Sequence, residues 1–347
     1  MRDCGLVLGL IVVFAGGCQA TGAEANEASH GAIQGAELIF PLEDRPTPGC
    51  HASTIVETRD GRLLAAWFAG ADEGEDDVGI WVSRWEKDAW SRPVEAANGV
   101  MSPQMRYPCW NPVLFQSREG PLTLFFKVGP TPSQWWGEMM VSEDNGATWM
   151  DRRRLPPHVM GPIKNKAIQL ADGRILCPSS SEHAGWRVHV EITSDLKDWE
   201  VVGPLNDPTK MPVIQPTILS HSGGRLQMLC RTRGKGFIAE SWSQNGGRTW
   251  SEMSLTSLPN PNSGIDAVTL RDGRQLLVFN NTPKGRTPLN VAISKDGRQW
   301  DVMLALETQP GEYSYPAVIQ AADGRVHITY TYLRKSIKHV ILDSAQL

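Results

Sequence analysis

Short apolar runs, each preceded by a polar turn, recur along the whole chain. Asp60-Gly61-Arg62 precedes Leu63 to Trp67, Glu119-Gly120 precedes Leu122 to Phe126, and Asp172-Gly173-Arg174 precedes Ile175 to Cys177. Gly223-Gly224-Arg225, Asp272-Gly273-Arg274 and Asp323-Gly324-Arg325 introduce three more such runs. Runs of this length, rich in β-branched and aromatic residues and bounded by turn chemistry, predict strands, and no amphipathic helical period stands out.

A second signal runs in phase with the first. Ser142-Glu-Asp-Asn-Gly-Ala-Thr-Trp149 has worn copies at Ser83 to Trp90, Thr193 to Trp199, Ser243 to Trp250 and Ser294 to Trp300, so the tryptophans fall 59, 50, 51 and 50 residues apart. Each copy predicts a tight hairpin in which a short polar side chain caps backbone N–H groups and Gly takes a positive φ. That is a folding device rather than a catalytic one. Six units of about 50 residues, each holding a few short strands, predict a six-bladed β-propeller, with a solenoid or a sandwich as the alternatives. An extra strand at Ala36 to Phe40 would pair with Ser336 to Leu342 and close the circle, removing exposed sheet edges.

Composition narrows the setting. The 347 residues, 41% hydrophobic, can bury one large core. Lys and Arg number 34 against 38 Asp and Glu, with no basic tail or charge block, which argues against a nucleic-acid partner. Thirteen Trp, 33 Gly and 24 Pro suit a turn-rich β protein that stacks sugars on indole rings.

Arg2, the apolar run Gly5 to Phe14 and the small residues before Cys18 read as a secretory signal over residues 1–20. Export follows, to the periplasm or cell surface. Cys18 resembles a lipid-attachment site and would tether the chain to a membrane, the alternative being an ordinary cleaved signal. Residues 21–35 read as a flexible tether and 36–347 as the propeller. Of the remaining cysteines, Cys50, Cys109, Cys177 and Cys230, no two have a spacing that fixes a disulfide or a zinc site; Cys177 and Cys230 suit buried thiols, and one disulfide among the four stays open. Without a metal-ligand cluster or a Gly-rich phosphate cradle, no metal and no cofactor are expected.

Aligned on the turn glycines, the inner strands begin at His51, Asn111, Lys166, Gln215, Asp266 and Tyr315, all polar or aromatic. In a propeller such positions converge on the axis and line one pocket. Arg231, Arg286, Lys164, Arg106 and Asp77 lie close by in sequence. Arginine's planar fork grips a carboxylate at two points, so the ligand expected is anionic. Trp110, Trp135, Trp136 and Trp186, in or near loops, could stack on pyranose faces. Together these indicate an acidic oligosaccharide or polysaccharide.

Over about residues 37 to 347 the chain resembles the sialidase (neuraminidase) superfamily, in its BNR or Asp-box repeat branch. The resemblance implies that Arg231 and Arg286 are two of three arginines holding a substrate carboxylate. Where the family carries the third, in an Arg-Ile-Pro motif, this chain has His51-Ala52-Ser53. It implies Asp77, or Asp76 beside it, as acid/base, Tyr315 or Tyr313 as nucleophile, and Gln215 where the family has the glutamate that takes the tyrosine's proton. A phenol of ordinary pKa near 10 needs such a base, and glutamine cannot serve; Glu240 and Glu312 are the candidates to replace it.

The function expected is an exo-acting glycoside hydrolase on a terminal acidic sugar. One alternative resembles the rhamnose-glucuronate lyases, with His51 as base and His183 and His189 as weaker candidates. The other is a glycan-binding propeller without turnover.

Overall fold

The computed structural model describes Met1, residues 31–86 and residues 88–347. The expected signal segment and Cys18 lie outside the described residues. The fold is a six-bladed β-propeller. Blade 1 is built on Gly49–Glu57, Leu63–Gly70 and Gly79–Glu86, with Val94–Ala97 outside. Blade 2 comprises Cys109–Gln116, Leu122–Val128, Trp136–Ser142 and Met150–Arg154. Ile168–Gln169, Ile175–Ser181, Arg187–Thr193 and Glu200–Val202 form blade 3, and Val213–Ser220, Leu226–Thr232, Phe237–Ser243 and Ser254–Pro259 form blade 4. Blade 5 runs through Asp266–Thr269, Gln275–Phe279, Leu289–Ser294 and Asp301–Glu307.

Blade 6 closes the circle. Tyr313–Gln320, Val326–Tyr332 and Ser336–Leu342 take their fourth strand from the other end of the chain, Ile33–Leu38, paired antiparallel with Leu38 opposite Lys338. This strand starts at Ile33, inside the stretch read from composition as tether. Its backbone pairing covers the last sheet edge.

The apolar residues pack in the seams between blades. Leu64, Phe68, Val82, Leu114 and Phe126 fill the seam of blades 1 and 2, and Val278, Val291, Val318 and Ile328 that of blades 5 and 6. The recurring turns serve these seams. In blade 4, Ser243 Oγ accepts the N–H of Gly247 at 3.0 Å and Asn245 Oδ1 that of Thr249 at 2.9 Å. Gly247 has a φ of 84°, and a Cβ there would stand 2.5 Å from Leu176 Cδ2 of blade 3. Only glycine allows both the turn and the close approach to the preceding blade. Trp90, at the end of the most worn copy, follows the same logic, donating through Nε1 to His339 of blade 6 at 3.2 Å. All four described cysteines are buried and free, so no disulfide joins them.

Chain direction fixes the two faces. The glycine turns close the first hairpin of every blade and the Ser-to-Trp boxes the third hairpin of blades 1 to 5, so both lie on one face. Inner-strand starts and second-hairpin tips lie on the other. The repeats that identify the fold thus lie on the face opposite to the inner-strand starts.

Candidate active site

The inner strands of blades 1, 2, 4 and 6 each carry a bulge near their start, and the residue there adopts a positive φ, Ala52 (55°), Asn111 (42°), Gln215 (54°) and Tyr315 (53°), as does Lys164 (68°) ahead of the short inner strand of blade 3. Non-glycine residues hold this conformation only where surrounding structure enforces it. These residues stand nine positions before their turn glycines, as does Gly264 in blade 5. The equivalent positions are therefore Ala52, Asn111, Lys164, Gln215, Gly264 and Tyr315. This corrects the alignment from sequence in three blades, where His51, Lys166 and Asp266 had been taken as equivalents.

Lys166 and Asp266 instead meet one layer deeper and tie the axis. Lys166 Nζ lies 2.9 Å from Asp266 Oδ2, and Asp266 also accepts Thr217 Oγ1 and the N–H of Val318, both at 2.9 Å. A buried carboxylate so fully engaged braces blades 3 to 6 and is not free to bind substrate. Lys164 Nζ donates to Asn165 Oδ1 at 2.8 Å, to the Ile265 carbonyl at 2.7 Å and to the Pro316 carbonyl, and burial pulls its pKa down to about 7. Its head group holds the backbone beside Tyr315 in place.

Above this layer the site is built around Tyr315. Arg231, at the end of the second strand of blade 4, donates to the Tyr315 phenolic oxygen, and from the same nitrogen to Gln215 Oε1 at 3.1 Å. Its Nε donates to Asn262 Oδ1 at 2.8 Å. Gln215 Nε2 donates to the same phenolic oxygen at 3.4 Å. Arg231 and Arg286 stand 5.6 and 5.4 Å from the centre of the Tyr315 ring. His51 packs on that ring, centroids 4.2 Å apart, with Nδ1 2.9 Å from Thr331 Oγ1. Burial, and then Arg334, Arg286, Arg231 and Lys164, hold the His51 pKa well below the ordinary histidine range, so its imidazole is neutral near neutral pH.

A third guanidinium appears where sequence reasoning did not look. Arg334 occupies the tip of the second hairpin of blade 6, at φ 54°. Its Nε lies 3.0 Å from Glu312 Oε1, the oxygen that Arg286 Nη1 approaches at 3.6 Å, and its Nη1 reaches Glu73 Oε2 at 2.6 Å. Glu312, one of the two carboxylates considered as a substitute base, therefore sits between two arginines at the site. Glu240, the other, is spent on Gln227 Nε2 and Trp242 Nε1 in blade 4, at 2.7 and 3.0 Å.

Several expected residues are placed elsewhere. Tyr313 is buried against Tyr332 in the core of the seam, 5.3 Å between centroids, which leaves Tyr315 as the tyrosine of the site. Both carboxylate oxygens of Asp77 accept the N–H of Ala71 at 3.0 Å, so this side chain staples its own loop. Asp72, in the same hairpin, instead lines the shallow depression shared by His51, Glu73 and Arg334. Arg106 braces the Asp77 loop, donating to the Asp77 carbonyl at 2.6 Å and pairing with Glu95 at 3.4 Å. Trp110 is buried against Phe68 and Trp135, its Nε1 bonded to the Gly129 carbonyl at 2.9 Å, and offers no face to a sugar. Trp186 remains beside the site, with Arg231 5.1 Å and Arg233 4.5 Å from its ring.

Arg334 and Asp72 had one available signal. Both belong to second hairpins, whose tips must lie on the face where inner strands begin.

The BNR repeat-like domain family model matches residues 61–328. Among curated proteins, the anhydrosialidase of Macrobdella decora is 27% identical over 234 residues, covering 59% of this chain and 30% of that protein's length. The chain thus spans about a third of that relative. Among solved structures, the Hadza microbial sialidase Hz136 superposes with a TM-score of 0.76 at 17% identity, over 90% of this chain and 69% of its own. The intramolecular trans-sialidase of Ruminococcus gnavus does so with a TM-score of 0.73 at 16% identity, over 91% and 99%. At these identities the likeness is one of fold.

Proposed function

The chain belongs to the BNR repeat-like domain family, and on that footing we propose that it is a sialidase-like glycosidase removing a terminal acidic sugar from a glycan. The observation that carries this reading is the pair of guanidiniums, Arg231 and Arg286, flanking the Tyr315 ring. Arg334 takes the part of the third arginine, approaching from a hairpin tip rather than from the first inner strand. The three grip the sugar carboxylate, a reading supported by Glu312, which already sets a carboxylate between Arg286 and Arg334.

In the chemical step Tyr315 Oη bonds to the anomeric carbon as the glycosidic C–O bond breaks, and Asp72 protonates the departing oxygen. The phenolic proton passes to His51, packed against the ring. Burial and four nearby cations make this transfer costly; the substrate carboxylate offsets the cations and raises the imidazole's basicity. Water then attacks the glycosyl-tyrosine, giving its proton to Asp72, and the phenol recovers its own from His51. No cofactor enters the scheme. Export by the signal at residues 1–20, with Cys18 as its lipid-attachment site, belongs to the same proposal and is checked by the mass of the mature N-terminus.

The test is covalent trapping. A fluorinated acidic-sugar substrate that slows hydrolysis of the intermediate is expected to add its glycosyl mass to the peptide carrying Tyr315. Label on Tyr313, or none, would overturn the scheme.

One observation favours a second reading, elimination from a uronate. Among the described residues none accepts the Tyr315 O–H, while two donors point at its oxygen. Tyr315 would then give its proton to the leaving oxygen, and neutral His51 would take the proton next to the clamped carboxylate.

A further inference from the structure

A groove of about 1210 Å³ runs between blades 2 and 3 on the face that carries the site. Its walls include Trp135, Trp136, Arg154, His158, His183 and Arg187, and among the described residues no Asp or Glu lines it. In a chain of net charge −4 this is a local reversal of sign. Arg154 stacks over Trp136 at 4.5 Å, which presents a cation and an aromatic edge together. The neighbouring carboxylates are engaged: Glu138 of blade 2 accepts Trp136 Nε1 at 2.8 Å and pairs with Arg152 at 2.7 Å, Glu182 of blade 3 accepts Trp186 Nε1 at 2.7 Å, and behind the wall lies Glu191. Its oxygens accept the N–H groups of Met160 and Gly161, each at 2.7 Å, and meet His189 Nε2 at 2.9 Å.

The groove adjoins the central site through a shared element. The tip between Ile175–Ser181 and Arg187–Thr193 sets Trp186 beneath Arg231 on one side, and His183 and Arg187 on the groove wall on the other. A volume above the roughly 300–1,000 Å³ of ordinary small-molecule sites leaves room for several sugar units.

We infer that this groove binds the continuation of an acidic oligosaccharide whose terminal sugar occupies the Tyr315 site, an assignment that rests on the glycan reading of that site. Arg154 and Arg187 hold carboxylates of the inner sugars, and Trp136 packs on a sugar face.

Calorimetry on the full chain carrying Tyr315→Phe, which blocks turnover, tests this with sialic acid, galacturonic acid and a tetramer of each. One tetramer is expected to bind about tenfold tighter than its monosaccharide, a gain of roughly 1.4 kcal/mol. Adding Arg154→Ala and Arg187→Ala should bring the tetramer to the monosaccharide's affinity and leave the monosaccharide's unchanged. Arg231→Ala should do the reverse, abolishing monosaccharide binding while the groove still holds the tetramer. The paired Arg154→Gln, Arg187→Gln variant repeats the test if the alanine protein melts early. A full length advantage in the groove variants, or no advantage in the parent, overturns the inference. If no monosaccharide binds, yet a tetramer does and the groove variants weaken it, the central-site reading fails and the groove stands as a separate site.

Discussion

Arg231 and Tyr315 meet across the top of the propeller, the arginine from blade 4 donating to the phenolic oxygen on blade 6. The same guanidinium holds Gln215 and Asn262, so one side chain orients both the tyrosine and its neighbours. Lysine keeps the charge and loses the planar fork. Arg231→Lys is expected to lower kcat/KM by about 100-fold or more, on the order of 2.7 kcal/mol of transition-state stabilisation. Steady-state kinetics on protein of unchanged circular dichroism checks it.

The ion pair on the axis should behave as a structural brace. Asp266→Asn leaves the part-buried Lys166 without its counter-charge and should cost about 3 kcal/mol of stability. The double variant Lys166→Met, Asp266→Asn should cost less than the sum of the single changes. Urea unfolding of the four proteins measures both.

Seam glycines and turn glycines should differ. Gly173 has a φ of 92° and open space around it, so Gly173→Ala should cost only the left-handed backbone penalty, about 1–2 kcal/mol. Gly247→Ala adds the collision with buried Leu176 and should cost about 3 kcal/mol or more. Thermal melts of the two variants separate the terms.

Acid should weaken the closure of blade 6. His327 stacks on His339 with centroids 5.2 Å apart, and burial, then His339, lowers its pKa to about 4. The unfolded chain takes up this proton near the ordinary value of about 6.5, before the folded protein does. Stability from this residue is therefore full above about pH 6.5 and falls as pH drops toward 4, by at most about 3 kcal/mol. Denaturation midpoints of wild type and His327→Gln across that window should converge at low pH if this residue carries the effect.

The fold was legible in sequence because the blade repeat is local. Turn glycines and box tryptophans sit at fixed intervals, and each acts on its own hairpin or its immediate neighbour. The site was legible mainly where it falls at a fixed distance from a recognisable turn: Gln215 and Tyr315 stand nine residues before, and Arg231 seven residues after, a turn glycine. An offset of one residue at His51 and of two at Lys166 and Asp266 hid the true equivalents, since counting cannot tell a side chain at the rim from one a layer deeper. Asp77 and Asp72 share one short loop, and only the backbone path decides which of them staples it. Arg334 escaped notice because its hairpin carries no motif; it reaches the site through topology.

Product mass is the most direct test of the reaction at Tyr315. Wild-type protein would be incubated with sialylated and uronate-containing oligosaccharides and the products weighed. Cleavage at the anomeric carbon is expected to give a released acidic sugar and a shortened glycan whose combined mass exceeds the substrate by one water, with the activity lost in Tyr315→Phe. An unsaturated uronate with no added water, or a substrate that stays intact in proportion to no amount of protein, would contradict it.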